Sequence, residues 1–258
     1  MKIGIALYSL GHELVEEFAG MGFEAVSVRV HEERFRSHMD ALVRSARDRD
    51  LTVTVHGKVN PGNFDCVREL VERLEGRVHS VLTDVPVEDV DGVERLRPDE
   101  LLAFREFFEE KGIYFGFEDL PLNSEELEAH FDDAVGNSPW LGVLLDIGHL
   151  NVRLRNAAGP GWEDLDAVIG SIPVPIRELH VHDNAGDRDS HAPIGYGNNR
   201  FEEVARALAR VGFDGVSTIE IVPRICGMDL AECKREAGKS LETWKGLLEK
   251  HAGRQAPG

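Results

Sequence analysis

Ile113-Tyr-Phe-Gly-Phe-Glu118 is a short apolar run that stops on a carboxylate. The pattern returns three times further on, as Gly142-Val-Leu-Leu-Asp146, Ile176-Arg-Glu-Leu-His180 and Val216-Ser-Thr-Ile-Glu220. Short runs of this kind, bounded by glycines and polar residues, read as strands. Each ends on a metal-type ligand, and helix-like stretches lie between them. Successive parallel strands of one barrel deliver their last side chains to a common rim, so all four groups are expected at one mouth.

Working outward from these runs, periodicity and breakers predict eight strands, near residues 3–8, 23–29, 52–56, 78–83, 113–118, 142–146, 177–182 and 216–220. Helices are predicted over 11–20, 34–50, 63–75, 98–111, 124–135, 162–171, 200–211 and 228–249. Eight such alternations in 258 residues match the size of an α/β protein built as a (β/α)8 TIM barrel. A doubly wound sheet would carry a glycine-rich phosphate loop after an early strand, and neither GxGxxG nor GxxxxGK[ST] occurs. Residues 1–251 are read as a single barrel domain and 252–258 as a flexible C-terminal tail. Segments 84–97 and 184–199 lack periodicity and follow strands, so they are expected to rise over the rim as lids.

Composition narrows the function classes. No apolar stretch approaches the roughly 20 residues that span a bilayer, and the start lacks the long apolar core of a secretion signal, which points to a cytoplasmic protein without a membrane partner. Cys66, Cys226 and Cys233 include no CxxC pair and read as packed or surface thiols in a reducing compartment. Acidic residues outnumber basic ones 47 to 29, and the resulting charge of −18 repels polyanions, which argues against nucleic acid. The composition is compatible with a homo-oligomer.

Glu118, Asp146, His180 and Glu220 supply three carboxylates and one imidazole, a mostly hard ligand set suited to Mn²⁺, Mg²⁺ or Co²⁺ and able to accept Zn²⁺. Like charges packed this closely raise one another's pKa unless a cation intervenes. Asp146-Ile-Gly-His149 places a histidine one short turn beyond the second group. His180 and His182 share strand parity, so both point into the mouth. His56 ends Thr52-Val-Thr-Val, and Asp189-Ser-His191 has the spacing of a carboxylate and imidazole reaching back over the rim. These five, His56, His149, His182, Asp189 and His191, are candidates to meet a second metal or the substrate. His12, His31, His38, His79, His130 and His251, with Trp140, Trp162 and Trp244, are assigned to surface or packing roles. Specificity is expected in loops 29–34, 57–62, 84–97 and 184–199. There Arg29 and Lys58, with Arg200 beside the last loop, could meet a substrate phosphate but read by default as solvated cations.

With these residues in hand the chain resembles the xylose isomerase-like TIM-barrel superfamily of sugar and sugar-phosphate isomerases and epimerases, inosose-metabolising relatives and type-IV apurinic endonucleases. The resemblance rests on Phe117-Glu118-Asp119, Leu145-Asp146-Ile-Gly-His149, Leu179-His180-Val-His182-Asp183-Asn184, Asp189-Ser-His191-Ala-Pro-Ile-Gly-Tyr-Gly197 and Gly212-Phe-Asp-Gly-Val-Ser-Thr-Ile-Glu220. It implies that Glu118, Asp146, His180 and Glu220 hold one divalent ion, with His180 chosen over His182 because the family's ligand precedes the loop aspartate by three residues. It also implies that Glu118 and Glu220 act as opposed acid and base on a small polyhydroxylated substrate, through a metal-stabilised enediolate. In the endonuclease branch His56, His149, Asp189 and His191 match additional zinc ligands, but that branch's histidine at the end of the fourth strand is replaced around Thr83-Asp84. Two alternatives therefore stand beside the isomerase reading: a zinc-dependent phosphodiesterase of the apurinic-endonuclease type, and a metal-binding barrel without catalysis.

Overall fold

A computed structural model describes residues 1–30, 33–57, 59–83, 87–90, 93–96, 103–118, 138–156, 161–172 and 174–252. Eight parallel strands close a barrel: β1 (Lys2–Ala6), β2 (Ala25–Val28), β3 (Thr52–His56), β4 (Val78–Thr83), β7 (Tyr114–Glu118), β8 (Leu141–Asp146), β9 (Ile176–Val181) and β10 (Val216–Ile219). Closure comes from β1, which pairs with β2 on one side and β10 on the other. The expected strands are all present, within two residues at nearly every end.

Three expectations are corrected. The first strand stops at Ala6, not residue 8, because Leu7–Leu10 forms a helical turn closed by the Gly11 N–H on the Leu7 carbonyl at 2.7 Å, with Gly11 at φ 134°. Segment 84–97 is not without regular structure: within its described residues β5 (Val87–Val90) and β6 (Val93–Leu96) form an antiparallel pair in a sheet separate from the barrel. The Asp91-Gly92 dipeptide between them is the sequence signal that was available for such a hairpin. Finally, an unpredicted helix, Ile147–Asn156, starts directly on Asp146. Ile147, Leu150 and Leu154 have helical spacing, and Asp146 Oδ1 accepts the His149 N–H at 2.8 Å, an N-cap bond that starts the helix. Of the helix expected over 98–111, Arg105–Lys111 is described; the one expected over 124–135 lies outside the described residues.

The apolar core lies between the outer face of the barrel and the helices, where Phe18, Phe35, Phe108, Phe115, Phe117 and Trp244 are fully buried. Helix Leu230–His251 begins on an Asp229 cap that accepts the Glu232 N–H, and it brings Trp244 against Phe201 of helix Phe201–Arg210.

The barrel interior, by contrast, is polar. Alternation along β9 turns Glu178 and His180 inward, and the Glu178 carboxyl accepts three hydroxyl hydrogen bonds from three other strands. Thr54 (2.8 Å) and Thr218 (2.9 Å) donate to Oε1, and Ser80 (2.8 Å) donates to Oε2. All four residues are inaccessible to solvent. This cage ties β3, β4, β9 and β10 together directly beneath the mouth.

Segment 184–199 forms a strap rather than a free lid. Asp183 pairs with Ala192 through both backbone bonds, and its carboxylate accepts the N–H groups of Asn184, Gly195, Gly197 and Asn199 at 2.9–3.1 Å. Asn184 and Asn199 side chains then donate to the carbonyls of Gly148 and Ile147.

Removing the cage acceptor leaves three buried hydroxyls without a partner, each costing roughly 1–3 kcal/mol. Glu178→Ala is expected to lower unfolding free energy in urea by about 3 kcal/mol or more, and Glu178→Gln, which keeps an acceptor at one end, by less than half of that. A loss under about 1 kcal/mol in the alanine variant would contradict the cage's structural role.

Candidate active site and metal centre

Glu118 and Asp146 are the last residues of β7 and β8, His180 lies one residue before the end of β9, and Glu220 follows β10. All four are buried, with Asp146 at 0% and Glu118, the most open, at 8%. Their side chains converge on one atom: His180 Nδ1 is 3.1 Å from Glu220 Oε2, 3.4 Å from Glu118 Oε1 and 3.8 Å from Asp146 Oδ2. In the barrel order β7 and β10 flank β9 on its two sides, with β8 between β7 and β9, so the two glutamates reach the imidazole from different strands. Tyr8, in the turn after β1, donates its hydroxyl to Glu220 Oε1 at 2.7 Å.

The five further candidates gather in the same mouth. His56 Nε2 lies 3.3 Å from Glu118 Oε2, with its ring edge-on to His180 at 4.7 Å. His182 Nε2 contacts Asp146 at 2.9 Å, while Asp189 Oδ2 meets His149 Nε2 at 3.0 Å and His191 Nε2 at 2.6 Å. The strap thus carries Asp189 and His191 back over the rim, with His191 held in the left-handed region at φ 41°. Gly148 is required beneath them, since a Cβ there would collide with the His182 imidazole.

The ligand-type atoms form overlapping sets whose members lie within 4.8 Å of one another: His56, Glu118 and His180; Glu118, Asp146 and His149; Asp146, His182 and Glu220; and His149, His182, Asp189 and His191. All four of the first group, Glu118, Asp146, His180 and Glu220, thus lie beside one or more of the five further candidates. Two features fit a divalent cation. The single Nδ1 proton of His180 cannot satisfy three carboxylates at once, which leaves negative oxygen in excess. His182 Nδ1 and Asp189 Oδ1 are both buried, stand 3.6 Å apart and make no hydrogen bond among the described residues.

The electrostatics follow from this crowding. Burial alone would push the His180 imidazole down, but the Glu220 charge and hydrogen bonds with Glu118 and Glu220 outweigh it and hold His180 well above its ordinary range. Burial would raise Glu220, yet His180, helped by His191, keeps it well below the usual carboxylate range. Asp146 is likewise carried down to about 2, against burial, chiefly by the charges of His182 and His149. His191, despite burial, is raised to about 10 by its hydrogen bonds with Asp189 and Glu220. His56 behaves oppositely: burial and repulsion from His180 and Arg29 hold it well below its ordinary value.

Sequence reading passed over Glu178 and Tyr8, gave His12 a surface or packing role, and weighed Arg29 as a phosphate contact without preferring it. Glu178 sits two residues before His180, and its Oε1 is 4.0 Å from His180 Nε2, the ring nitrogen turned away from the carboxylates. The period-2 rule that paired His180 with His182 also selects Glu178 when run backwards. Nothing local marks Tyr8. With His12 and Arg29 it lines a cavity of about 420 Å³ beside Glu220 and His191, and His12 also packs edge-on to Phe35 at 5.3 Å. Arg200, in contrast, pairs with Glu203, and Lys58 lies outside the described residues. His79 packs low in β4 against Tyr114 and the Arg177 carbonyl, as expected.

Residues 15–246 match the family described as xylose isomerase-like TIM barrel. An uncharacterized protein of Methanocaldococcus jannaschii is 30% identical over 191 residues, an alignment that spans 71% of this chain but 61% of that relative's length. Among solved structures, a D-tagatose 3-epimerase-like protein is 24% identical with a TM-score of 0.69, covering 97% of this chain and 98% of that one. The D-psicose 3-epimerase of Clostridium cellulolyticum H10, solved with D-tagatose, is 17% identical with a TM-score of 0.69, covering 96% and 99%. At these identities the two structures share the fold with this chain. A closed eight-stranded barrel and a family match over nearly the whole length together lead to one assignment: the chain belongs to the xylose isomerase-like TIM-barrel family.

Proposed function

We propose that this chain is a divalent-metal-dependent isomerase or epimerase of a sugar, sugar phosphate or related polyol, working by proton transfer between two glutamates. The observation that carries the reading is the approach of two buried carboxylates, Glu118 from β7 and Glu220 from the end of β10, to the one Nδ1 of His180. Resemblance in fold to proteins named as 3-epimerases supports it.

Glu118, Asp146, Glu220 and His180 through Nδ1 are the residues that would hold Mn²⁺, Mg²⁺, Co²⁺ or Zn²⁺. When bound, such an ion polarises a ketose's vicinal oxygens and makes the C–H between them more acidic. One glutamate then removes that proton from one face, and the other returns a proton from the opposite face, with no covalent intermediate. Glu220 is ionised at neutral pH and is oriented by the Tyr8 hydroxyl and His191, so its free lone pairs point to a fixed place. Burial of the mouth keeps bulk water from quenching the carbanion.

The further donor set of His149, His182, Asp189 and His191, which shares His149 and His182 with the neighbouring sets, favours a second reading, a zinc phosphodiesterase with more than one ion. The −18 charge and Thr83 at the end of β4 weigh against it. A barrel that binds metal without catalysis is the third reading.

Three measurements separate these. Protein stripped with chelator and reloaded with Mn²⁺ is expected to regain turnover on a panel of ketoses, ketose phosphates and cyclitols, with one ion per chain by elemental analysis; two or three zinc ions with cleavage of abasic DNA would promote the phosphodiesterase. Glu118→Gln and Glu220→Gln are each expected to lower kcat at least about 100-fold, and retained activity in both removes the acid/base assignment. Because His180 carries a proton at neutral pH in the ion-free protein, metal binding must release it. Titration calorimetry in buffers of different ionisation enthalpy is expected to show about one proton released per ion, with affinity rising about tenfold per pH unit near neutrality; a pH-independent affinity contradicts this.

A further inference from the structure

We infer that the cavity beside Glu220 is an anion subsite, which takes a phosphate ester or carboxylate carried by the substrate. This inference rests on the reading of the barrel mouth as a site for a small polyhydroxylated molecule and narrows its substrate class. The cavity, about 420 Å³, falls within the roughly 300–1,000 Å³ of small-molecule sites. Glu220 and His191 line it together with Arg29, Arg224, His12 and Tyr8, and Val222, Pro223 and Ile225 add an apolar part.

Arg29 follows β2 at the rim and is half-buried. Its guanidinium lies 4.2 Å above the centre of the Tyr8 ring, and its stem packs against Gly57, where a Cβ would stand 3.3 Å from Arg29 Cγ and Cδ. The arginine is thus held from two sides. Its Nε is buried and makes no hydrogen bond, and neither Arg29 nor Arg224 has a carboxylate within ion-pair distance among the described residues.

A guanidinium removed from water costs free energy until its N–H groups are met, and a phosphate or carboxylate meets them two at a time. The carboxylate that lines the cavity, Glu220, is already engaged by Tyr8, His180 and His191. An overall charge of −18 repels anions at long range, so their capture needs a local positive site of this kind. A substrate whose reacting carbons face Glu118 and Glu220 would extend its charged end into this cavity.

The test is titration calorimetry of inorganic phosphate and of glycolate into the protein as purified, in wild-type, Arg29→Gln, Arg29→Lys and Arg224→Gln forms, with circular dichroism to confirm folding. Wild type is expected to bind at least one of the two anions, the tighter of them identifying phosphate or carboxylate as the natural group. Arg29→Gln is expected to weaken binding at least tenfold, Arg29→Lys to fall between, and Arg224→Gln, an exposed change that leaves the fold intact, to weaken it several-fold. No binding to wild type, or affinities unchanged in both Arg29→Gln and Arg224→Gln, overturns the subsite. Anion affinity lost in Arg29→Gln while no sugar is turned over keeps the subsite and removes the proton-transfer reading. Turnover of neutral sugars with unchanged anion affinity in the variants does the reverse.

Discussion

The His180 imidazole has a carboxyl group on every side, and the site is built around that arrangement. Glu118, Asp146 and Glu220 face Nδ1 from three other strand ends, and Glu178 lies 4.0 Å below Nε2. One ring nitrogen cannot neutralise three buried carboxylates, so the geometry persists only because the barrel fixes each strand end independently. The Glu178 cage supplies much of that fixing. Its hydroxyl partners come from β3, β4 and β10, and they lock the register of the strands that carry His56, His180 and Glu220.

The strap after β9 extends the same logic to the outer half of the mouth. A single carboxylate, Asp183, collects four backbone N–H groups and so determines where Asp189 and His191 sit. A loop tied in this way acts as a wall, which suits a site that must keep water out and hold ligand groups at fixed distances. Asp146 has two structural roles, since it faces His180 and His182 while also starting the helix that places His149 and Gly148. Changing it would disturb the ligand cluster and the helix together.

Most of the architecture was legible from the strand ends. The recurrence of an apolar run followed by Glu118, Asp146, His180 or Glu220 located four strands and their common rim, because parity and parallel order leave little freedom once the barrel closes. The β5–β6 hairpin and the helix after Asp146 were missed for local reasons. Alternation around Asp91-Gly92 is short, and Gly148 with two asparagines blurs the helical spacing of Ile147, Leu150 and Leu154. The closeness of the two groups of ligand-type residues was likewise not legible, since chain order says nothing about which side chains share an atom across the mouth.

By itself the sequence determined the barrel, the rim and the chemical types gathered there, because each depends on short-range periodicity that the chain writes directly. Which groups touch was decided only in three dimensions. Tyr8 reaches Glu220 across 212 residues, Glu178 finds Thr54 across 124, and Arg29 is set beside Gly57 and the Tyr8 ring by barrel closure. Those contacts depend on the radius and stagger of a closed sheet, quantities that no local stretch of residues encodes.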